Sequence, residues 1–332
     1  MAIAADQSIR WGIIGTGGIA SAFAGDLKLL PDAQVVAVGS RSQKSADEFG
    51  DRFDIPRRYP TYEQLAEDPE VDAIYVSTPH PMHHANALLA IRAGKAVLVE
   101  KPFTINAKEA RELVSEARAR GTFLMEAMWT RHLPHIVALR EILAQGRLGA
   151  VRSVMADHGQ WFTKNAAHRL FAPELGGGAL LDLGVYPISF ASMVLGNPSR
   201  ITAASDQAFT GVDAQTGILL QYEGGQHAVL FTSLETRTPN WACVNGTEAR
   251  VEIEGVFYTP SRFRLITRDG DVEQFDFPHE GHGLRHQAAT VGRCLRAGLT
   301  ESDALPLDES IAIMETMDEI RRQIGLTYPS ES

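Results

Sequence analysis

The sequence predicts two folded parts: an α/β half built on a doubly wound parallel sheet, then an α+β half built on a large, mainly antiparallel open sheet. Three observations predict it. An apolar strand, Ile9–Ile14, runs into a glycine loop, residues 15–20, that opens a helix. From there to Met128 short apolar runs alternate with helical patterns, as parallel strands covered on both faces do. From Val151 onward, longer stretches alternate apolar and polar residues with turn residues between them, the pattern of half-buried antiparallel strands. The boundary falls near Met128, dividing residues 1–128 from 129–332 with no linker and no internal repeat.

Composition bounds the function. With 332 residues, 44% hydrophobic and 22% charged, the chain has the make-up of a soluble globular protein. Its 31 basic residues stand against 41 acidic ones, a net charge of -10 with no long basic run, which argues against nucleic acid and against an anionic membrane surface. Cys243 and Cys294 show no metal-ligand spacing, so both are expected reduced, without disulfide or zinc. No basic-then-apolar leader precedes Ile9, and the uncharged stretch 183–199 is broken by Pro187, Gly196, Asn197 and Pro198. A cytoplasmic enzyme of small-molecule metabolism is expected.

Gly15-Thr16-Gly17-Gly18-Ile19-Ala20 has the spacing GxGxxA. Gly15 permits the tight turn, Gly17 lets backbone approach a pyrophosphate, and Ala20 lets the following helix, residues 19–30, lie close to the sheet. Thr16, Gly18 and Ile19 complete a loop whose N–H groups face phosphates at a helix amino terminus, as in a Rossmann half. The next strand, 34–39, ends in Ser40-Arg41, where an acid would hold the ribose of NAD. Ser40 can donate to a phosphate oxygen, Arg41 offers a planar fork of donors and Lys44 adds charge, so NADP(H) is the expected cofactor.

A helix over 61–67 and a strand over 72–77 lead to Thr78-Pro79-His80-Pro81, then a helix over 82–93 closed by Gly94. Thr78, His80 and His83 start at that strand's carboxyl end, where contact with the cofactor is their expected use. As a metal pair the two histidines lack a third ligand, and no metal is expected. Val97-Leu98-Val99 then stops at Glu100-Lys101-Pro102, which puts Lys101 at a strand's carboxyl end, where ligands of open α/β sheets bind. A helix over 106–120, stopped by Gly121, and a strand over 122–127 complete the first half.

The second half reads as a helix over 134–145, strands over 151–162, 201–209, 214–222, 226–236, 249–254 and 262–267, and closing helices over 282–297 and 307–324 that can pack back on the first half. Between the first two strands lie three glycines followed by Ala-Leu-Leu-Asp182-Leu-Gly-Val-Tyr186-Pro. If that stretch is helical, Asp182 and Tyr186 share one face. A tyrosine can pass a proton to or from a substrate hydroxyl when a cation lowers its pKa, and a carboxylate can hold such a hydroxyl in line. Lys101 is the cation at hand. Taken singly, Lys101 is a solvated strand end, Asp182 a cap and Tyr186 a half-buried aromatic. Trp129, Trp161 and Phe162 are candidates to line a substrate pocket.

GTGGIA, Ser40-Arg41, Glu100-Lys101-Pro102 and GGGALLDLGVYP, in that order over essentially the whole chain, resemble the glucose-fructose oxidoreductase / inositol dehydrogenase / MocA family. The segment from Met125 to Arg131, and a tyrosine where many members carry histidine, resemble its dimeric dihydrodiol dehydrogenase and NADP-dependent D-xylose dehydrogenase branch. The resemblance implies Lys101 beside the nicotinamide, Tyr186 as acid/base, Asp182 as substrate ligand, and Glu100 and Arg169 near the cofactor. His83 matches the family's turn, and His80 departs from its usual asparagine. The implied reaction moves a hydride between NADP(H) and a secondary alcohol or hemiacetal carbon of a sugar or diol, with a dicarbonyl or anhydro-sugar as the alternative substrate. Some members of the family are cofactor-binding regulators, and the retention of Lys101, Asp182 and Tyr186 together speaks against that. A broad sheet with one free face is expected to pair with a copy of itself, giving a homodimer through the second half.

Overall fold

The computed structural model describes residues 7–331. The chain forms two compact units, each described on its own. The first has a six-stranded sheet of β1 (Ile9–Ile14), β2 (Ala33–Gly39), β3 (Arg57–Tyr59), β4 (Ala73–Val76), β5 (Ala96–Glu100) and β6 (Leu124–Ala127), every pair parallel, in the order β3-β2-β1-β4-β5-β6. The order reverses between β1 and β4, the switch point beyond whose carboxyl ends such sheets bind ligands. Helices α1 (Gly18–Leu27), α2 (Gln43–Phe53), α3 (Tyr62–Ala66), α4 (His83–Arg92) and α5 (Ala107–Arg120) make the crossovers. Their ends follow local chemistry. Ser42, Thr61 and Asn106 accept first-turn N–H groups of α2, α3 and α5, and Gly121, in the left-handed region, closes α5.

This unit takes in more chain than a boundary near Met128 implies. It runs to His132 and recruits Glu280–Ile311. The cause is apolar: on α8 (Arg285–Arg296), Ala288, Val291, Cys294 and Leu295 join the core made by Ile9, Trp11, Phe23 and Leu27. Asp26 accepts the His282 N–H at 2.8 Å, and the Thr300 carbonyl extends the ladder at β6 by accepting from Leu124 at 3.0 Å.

The second unit comprises Leu133–His279 and the chain from Ala312 onward, so α9 (Leu307–Ile324) begins in one unit and ends in the other. After α6 (Pro134–Ala144) come β7 (Val151–Gly159), α7 (Val185–Leu195), β8 (Arg200–Gln207), β9 (Asp213–Gln221), β10 (His227–Ser233), β11 (Ala242–Gly246), β12 (Ala249–Ile253), β13 (Phe263–Thr267) and β14 (Val272–Phe275). The eight strands run β14-β13-β12-β11-β7-β10-β9-β8, antiparallel except for β7 with β10. Helix α7 packs on β7 and β10. Pro173–Leu195 is long and apolar enough on composition to cross a membrane, which the shorter stretch 183–199 does not suggest; most of it is buried within this unit, as a core helix is. Helix α2 and strands β3, β11 and β14 are further elements that the sequence pattern leaves unassigned.

Candidate active site

In the first unit, β1 ends at a turn through Gly15, whose φ of +104° strains any residue with a side chain. A Cβ there would stand 2.9 Å from Ser77 Oγ and 3.1 Å from the Ser77 carbonyl oxygen, so the turn lies directly against the end of β4. Gly17 is the N-cap of α1 and brings no side chain to its first-turn N–H groups. Nothing lies within 4 Å of where a Cβ of Gly17 or Gly18 would stand. Unpaired N–H groups, the positive end of a helix dipole and open space before them are what a pyrophosphate requires, and the residues present fit a dinucleotide. Thr16 sits half-buried in the turn, Ile19 faces outward and Ala20 is sealed beneath the helix.

At the end of β2, Ser40 is buried, its N–H donating to the Tyr59 carbonyl at 3.0 Å, while Arg41 is exposed. Burial raises the Tyr62 phenol pKa and the nearby Arg41 charge opposes it, which puts Tyr62 within the field of that guanidinium. Lys44 is exposed on α2, 3.8 Å from Glu48.

Past β4, Thr78 takes the Asn86 amide on its hydroxyl at 3.1 Å. His83 is fully buried, with ring nitrogens 2.8 Å from the Thr78 and Pro102 carbonyls, so it ties two strand ends together. Burial lowers its pKa to about 3, helped by His80 and Lys101 and resisted by the carbonyls, so the neutral ring donates to one carbonyl at a time. His80 is buried with its ring centre 5.7 Å from that of His83. Among the described residues no group of three or more His, Cys, Asp or Glu is set to hold a metal. Glu100 is turned inward: it accepts the Tyr75 hydroxyl and, at 3.2 Å, the Lys101 backbone N–H, which orients the partly exposed Lys101 at the end of β5. The Lys101–Pro102 peptide is cis. Trp129 packs half-buried against this unit's own core.

In the second unit, Leu180–Gly184 is a π turn that leads into α7. Single wide turns of this kind recur at functional sites. Here Gly184 lets β10 come close, since a Cβ on it would stand 3.2 Å from Thr232 Cγ2. Asp182 is buried, and Arg169 grips both its oxygens, at 2.9 and 3.2 Å. Tyr186 is 7% exposed and meets two other rings: its centre lies 5.2 Å from His158 and 4.9 Å from Tyr258, which stack on each other at 3.9 Å. His158 lies 3.2 Å from the Leu183 carbonyl through Nδ1 and 2.9 Å from the Gln160 amide nitrogen through Nε2, a pair satisfied by a proton on Nδ1. Gln160 also donates to the Tyr258 hydroxyl at 3.1 Å. Trp161 is exposed and bridges Glu235 at the end of β7, and Phe162 leans on His168 with ring centres 6.0 Å apart.

His158, Gln160 and Tyr258 escape the sequence reading. One signal for His158 was present: along β7 it falls in phase with buried Val154 and Ala156, so a polar ring was due on the inner face.

Comparison with known proteins agrees with this geometry. A family model described as an oxidoreductase family with an NAD-binding Rossmann fold matches residues 9–128, and one described as a GFO/IDH/MocA C-terminal domain matches residues 136–252. The chain belongs to the Gfo/Idh/MocA family. This Gfo/Idh/MocA protein is 41% identical over 338 residues to trans-1,2-dihydrobenzene-1,2-diol dehydrogenase of Bos taurus, covering 98% of this chain and 99% of the relative. The enzyme of that name from Homo sapiens is 41% identical over 339 residues, with the same coverage. Among solved structures, a 3-ketoreductase from Actinomadura kijaniata in complex with NADP and TDP-benzene superposes with a TM-score of 0.85 at 29% identity, over 96% of this chain and 98% of that one. An aldose-aldose oxidoreductase from Caulobacter crescentus has the same fold, with a TM-score of 0.87 at 23% identity over 96% and 97% of the two chains. This Gfo/Idh/MocA chain is an oxidoreductase acting on CH–OH groups, with an NAD(P)-binding Rossmann domain as its first half.

Proposed function

We propose that the protein is an NADP(H)-dependent oxidoreductase of a diol or sugar, in which Tyr186 is the acid/base, Lys101 the assisting cation and Asp182 the group that holds the substrate hydroxyl. The observation that carries this is the π turn, which sets Asp182, already gripped by Arg169, one wide turn before a nearly buried tyrosine. NADP(H), when bound, supplies or accepts the hydride. In oxidation the Tyr186 phenolate takes the hydroxyl proton; in reduction the phenol returns one. The Asp182 carboxylate accepts the neighbouring hydroxyl, and Arg169 fixes that carboxylate so that no reorientation is needed. Preference for NADP(H) is supported by Ser40 and the exposed Arg41 at the end of β2, where no acid stands.

Incubation with NADP+ or NAD+ and a panel containing trans-1,2-dihydrobenzene-1,2-diol, D-xylose and other aldoses tests this by absorbance of the reduced cofactor. Turnover with NADP+ that disappears in Tyr186→Phe is expected. Tight NADP(H) binding without turnover of any diol, aldose or dicarbonyl would replace the reading by a cofactor-binding regulator.

A homodimer through the outer face of the second sheet belongs to the same proposal. Its support is the apolar row in which exposed Val229 lies beside exposed Met155 on one neighbouring strand and Leu219 on the other. Light scattering at micromolar concentration should give the mass of two chains.

A further inference from the structure

We infer that Asp213 and the C-terminal residues 326–331 form a clasp on the glycine triplet 176–178, and that Asp213 is thereby a positioning residue for the π turn that bears Asp182. The inference rests on the proposed roles of Asp182 and Tyr186, and all its parts lie within the second unit.

Asp213, the first residue of β9, is 2% exposed. Its Oδ2 accepts the Leu180 N–H at 2.8 Å and the Thr216 hydroxyl at 3.0 Å. Leu180 is the first residue of the π turn, so the carboxylate serves as its cap from a distant strand and sets a negative charge at its positive end. Oδ1 is buried without a hydrogen-bond partner and lies 2.1 Å from where a Cβ of Gly178 would stand. Only a glycine, here at φ +116°, admits the carboxylate to this place. A buried acceptor left unmatched costs stability, so a role beyond stability is expected of a group kept there. Burial pushes its pKa up to about 6, against the pull of Leu180, Thr216 and the charge of Arg321.

The other jaw comes from the chain's end. The Tyr328 hydroxyl donates to the Gly177 carbonyl at 2.8 Å, and the ring is buried beneath the Arg321 guanidinium, 4.7 Å away. Arg321 binds Glu331, whose carboxylate accepts the Tyr328 N–H at 3.0 Å. Gly177 is hemmed in as well: a Cβ on it would stand 2.9 Å from each of the Arg169, Leu170 and Ala172 carbonyl oxygens. The loop that brings Arg169 to Asp182 is thus wrapped on the same triplet that Asp213 and Tyr328 hold, and one clasp registers both ends of that ion pair.

The test compares Asp213→Ala, Asp213→Asn and Tyr328→Phe with Asp182→Asn and Tyr186→Phe in the assay above, together with amide hydrogen exchange over residues 177–186. Asp213→Ala is expected to lower kcat at least tenfold and to speed exchange of this segment, with NADP(H) dissociation constant and exchange in β1–β6 unchanged. Asp213→Asn keeps an oxygen for Leu180 and is expected to restore at least half of the wild-type kcat. Tyr328→Phe should lower kcat about threefold with the same local exchange signature. If Asp213→Ala does not fold, Tyr328→Phe decides by the same criteria. Wild-type kcat in Asp213→Ala or in Tyr328→Phe, while Asp182→Asn and Tyr186→Phe are inactive, overturns the clasp alone. Activity retained in the latter two overturns the functional reading beneath it.

Discussion

Two glycine-rich turns in this chain do opposite work. Around Gly17 and Gly18 the space is empty, with no atom within 4 Å of a built Cβ, whereas around Gly177 and Gly178 it is filled by three carbonyl oxygens and the Asp213 carboxylate. In the first turn the missing side chain leaves room for a ligand to approach backbone N–H groups. In the second it leaves room for the protein to approach itself. The same residue type therefore marks a binding surface in one unit and an internal joint in the other, and only the neighbours distinguish them.

Exchanging alanine for glycine breaks the comparison most sharply. Gly178→Ala meets both a left-handed φ and Asp213 Oδ1 at 2.1 Å, so a loss on the order of 3 kcal/mol or more is expected, with the second unit unfolding first in a thermal melt. Gly17→Ala has φ −78° and open space, so the fold should lose about 1 kcal/mol or less while NADP(H) affinity falls at least about tenfold. Equal melting temperatures for the two variants would remove the distinction.

What the second turn delivers is Tyr186, and its loss is the next largest effect. Tyr186→Phe is expected to lower kcat by about a hundredfold or more with the cofactor dissociation constant unchanged, because in the proposed mechanism the phenol moves a proton and does not hold the cofactor. Lys101→Met should also reduce kcat steeply, and the double variant should be little worse than the poorer single if the two act as a unit. Additive losses in stopped-flow turnover would separate them.

The first turn was legible in the sequence because its parts are local: a strand, three glycines and a helix are contiguous, and Ser40-Arg41 and Glu100-Lys101 each close an apolar run. The second was legible only as a motif. That Asp213 caps it depends on a pairing across thirty-three positions, and that Tyr328 clasps it depends on a chain end about 150 positions away. Helix α2 escaped notice since, of its buried residues Ala46, Phe49 and Gly50, only one is large, and β11 carries its buried Ala242, Cys243 and Val244 without alternation. His83 shows the same limit: its place after β4 suits a ligand contact, but the Pro102 carbonyl that meets one ring nitrogen lies beyond a strand that follows later.

Arg41→Ala sharpens the assignment of the first turn. Arg41 is exposed at the end of β2 and carries a guanidinium that only a 2′-phosphate would use, so kcat/KM with NADP+ should fall about tenfold or more while that with NAD+ changes little. Equal losses with both cofactors would return the residue to the solvated surface.

The smallest effect contrasts two buried carboxylates. Glu126, at β6 in the first unit, accepts the Ser310 hydroxyl at 2.7 Å beside the Arg131–Glu309 ion pair, and burial raises its pKa from 4.5 to about 7 against the pull of Ser310 and Arg131. Asp213 is raised likewise, but it caps the turn that carries Asp182, whereas Glu126 binds the start of α9 to a strand. For Glu126 the folded pKa lies above the unfolded one, so its favourable contribution is complete below pH 4.5 and is lost as the pH rises through about 7. At pH 8 the ionised, buried carboxylate costs the fold up to roughly 3 kcal/mol relative to its protonated form. Glu126→Gln lacks that titration, so the melting temperature of the variant minus that of the wild type should climb by several degrees as the pH rises from 4.5 to about 7 and level off above that, while kcat stays within twofold. A difference that stays flat across that range would mean the carboxylate is solvated or fully paired. A kcat loss as large as that of Asp213→Ala would mean the first unit also holds its catalytic geometry through a buried acid, and the contrast between the open turn and the clasped one would no longer hold.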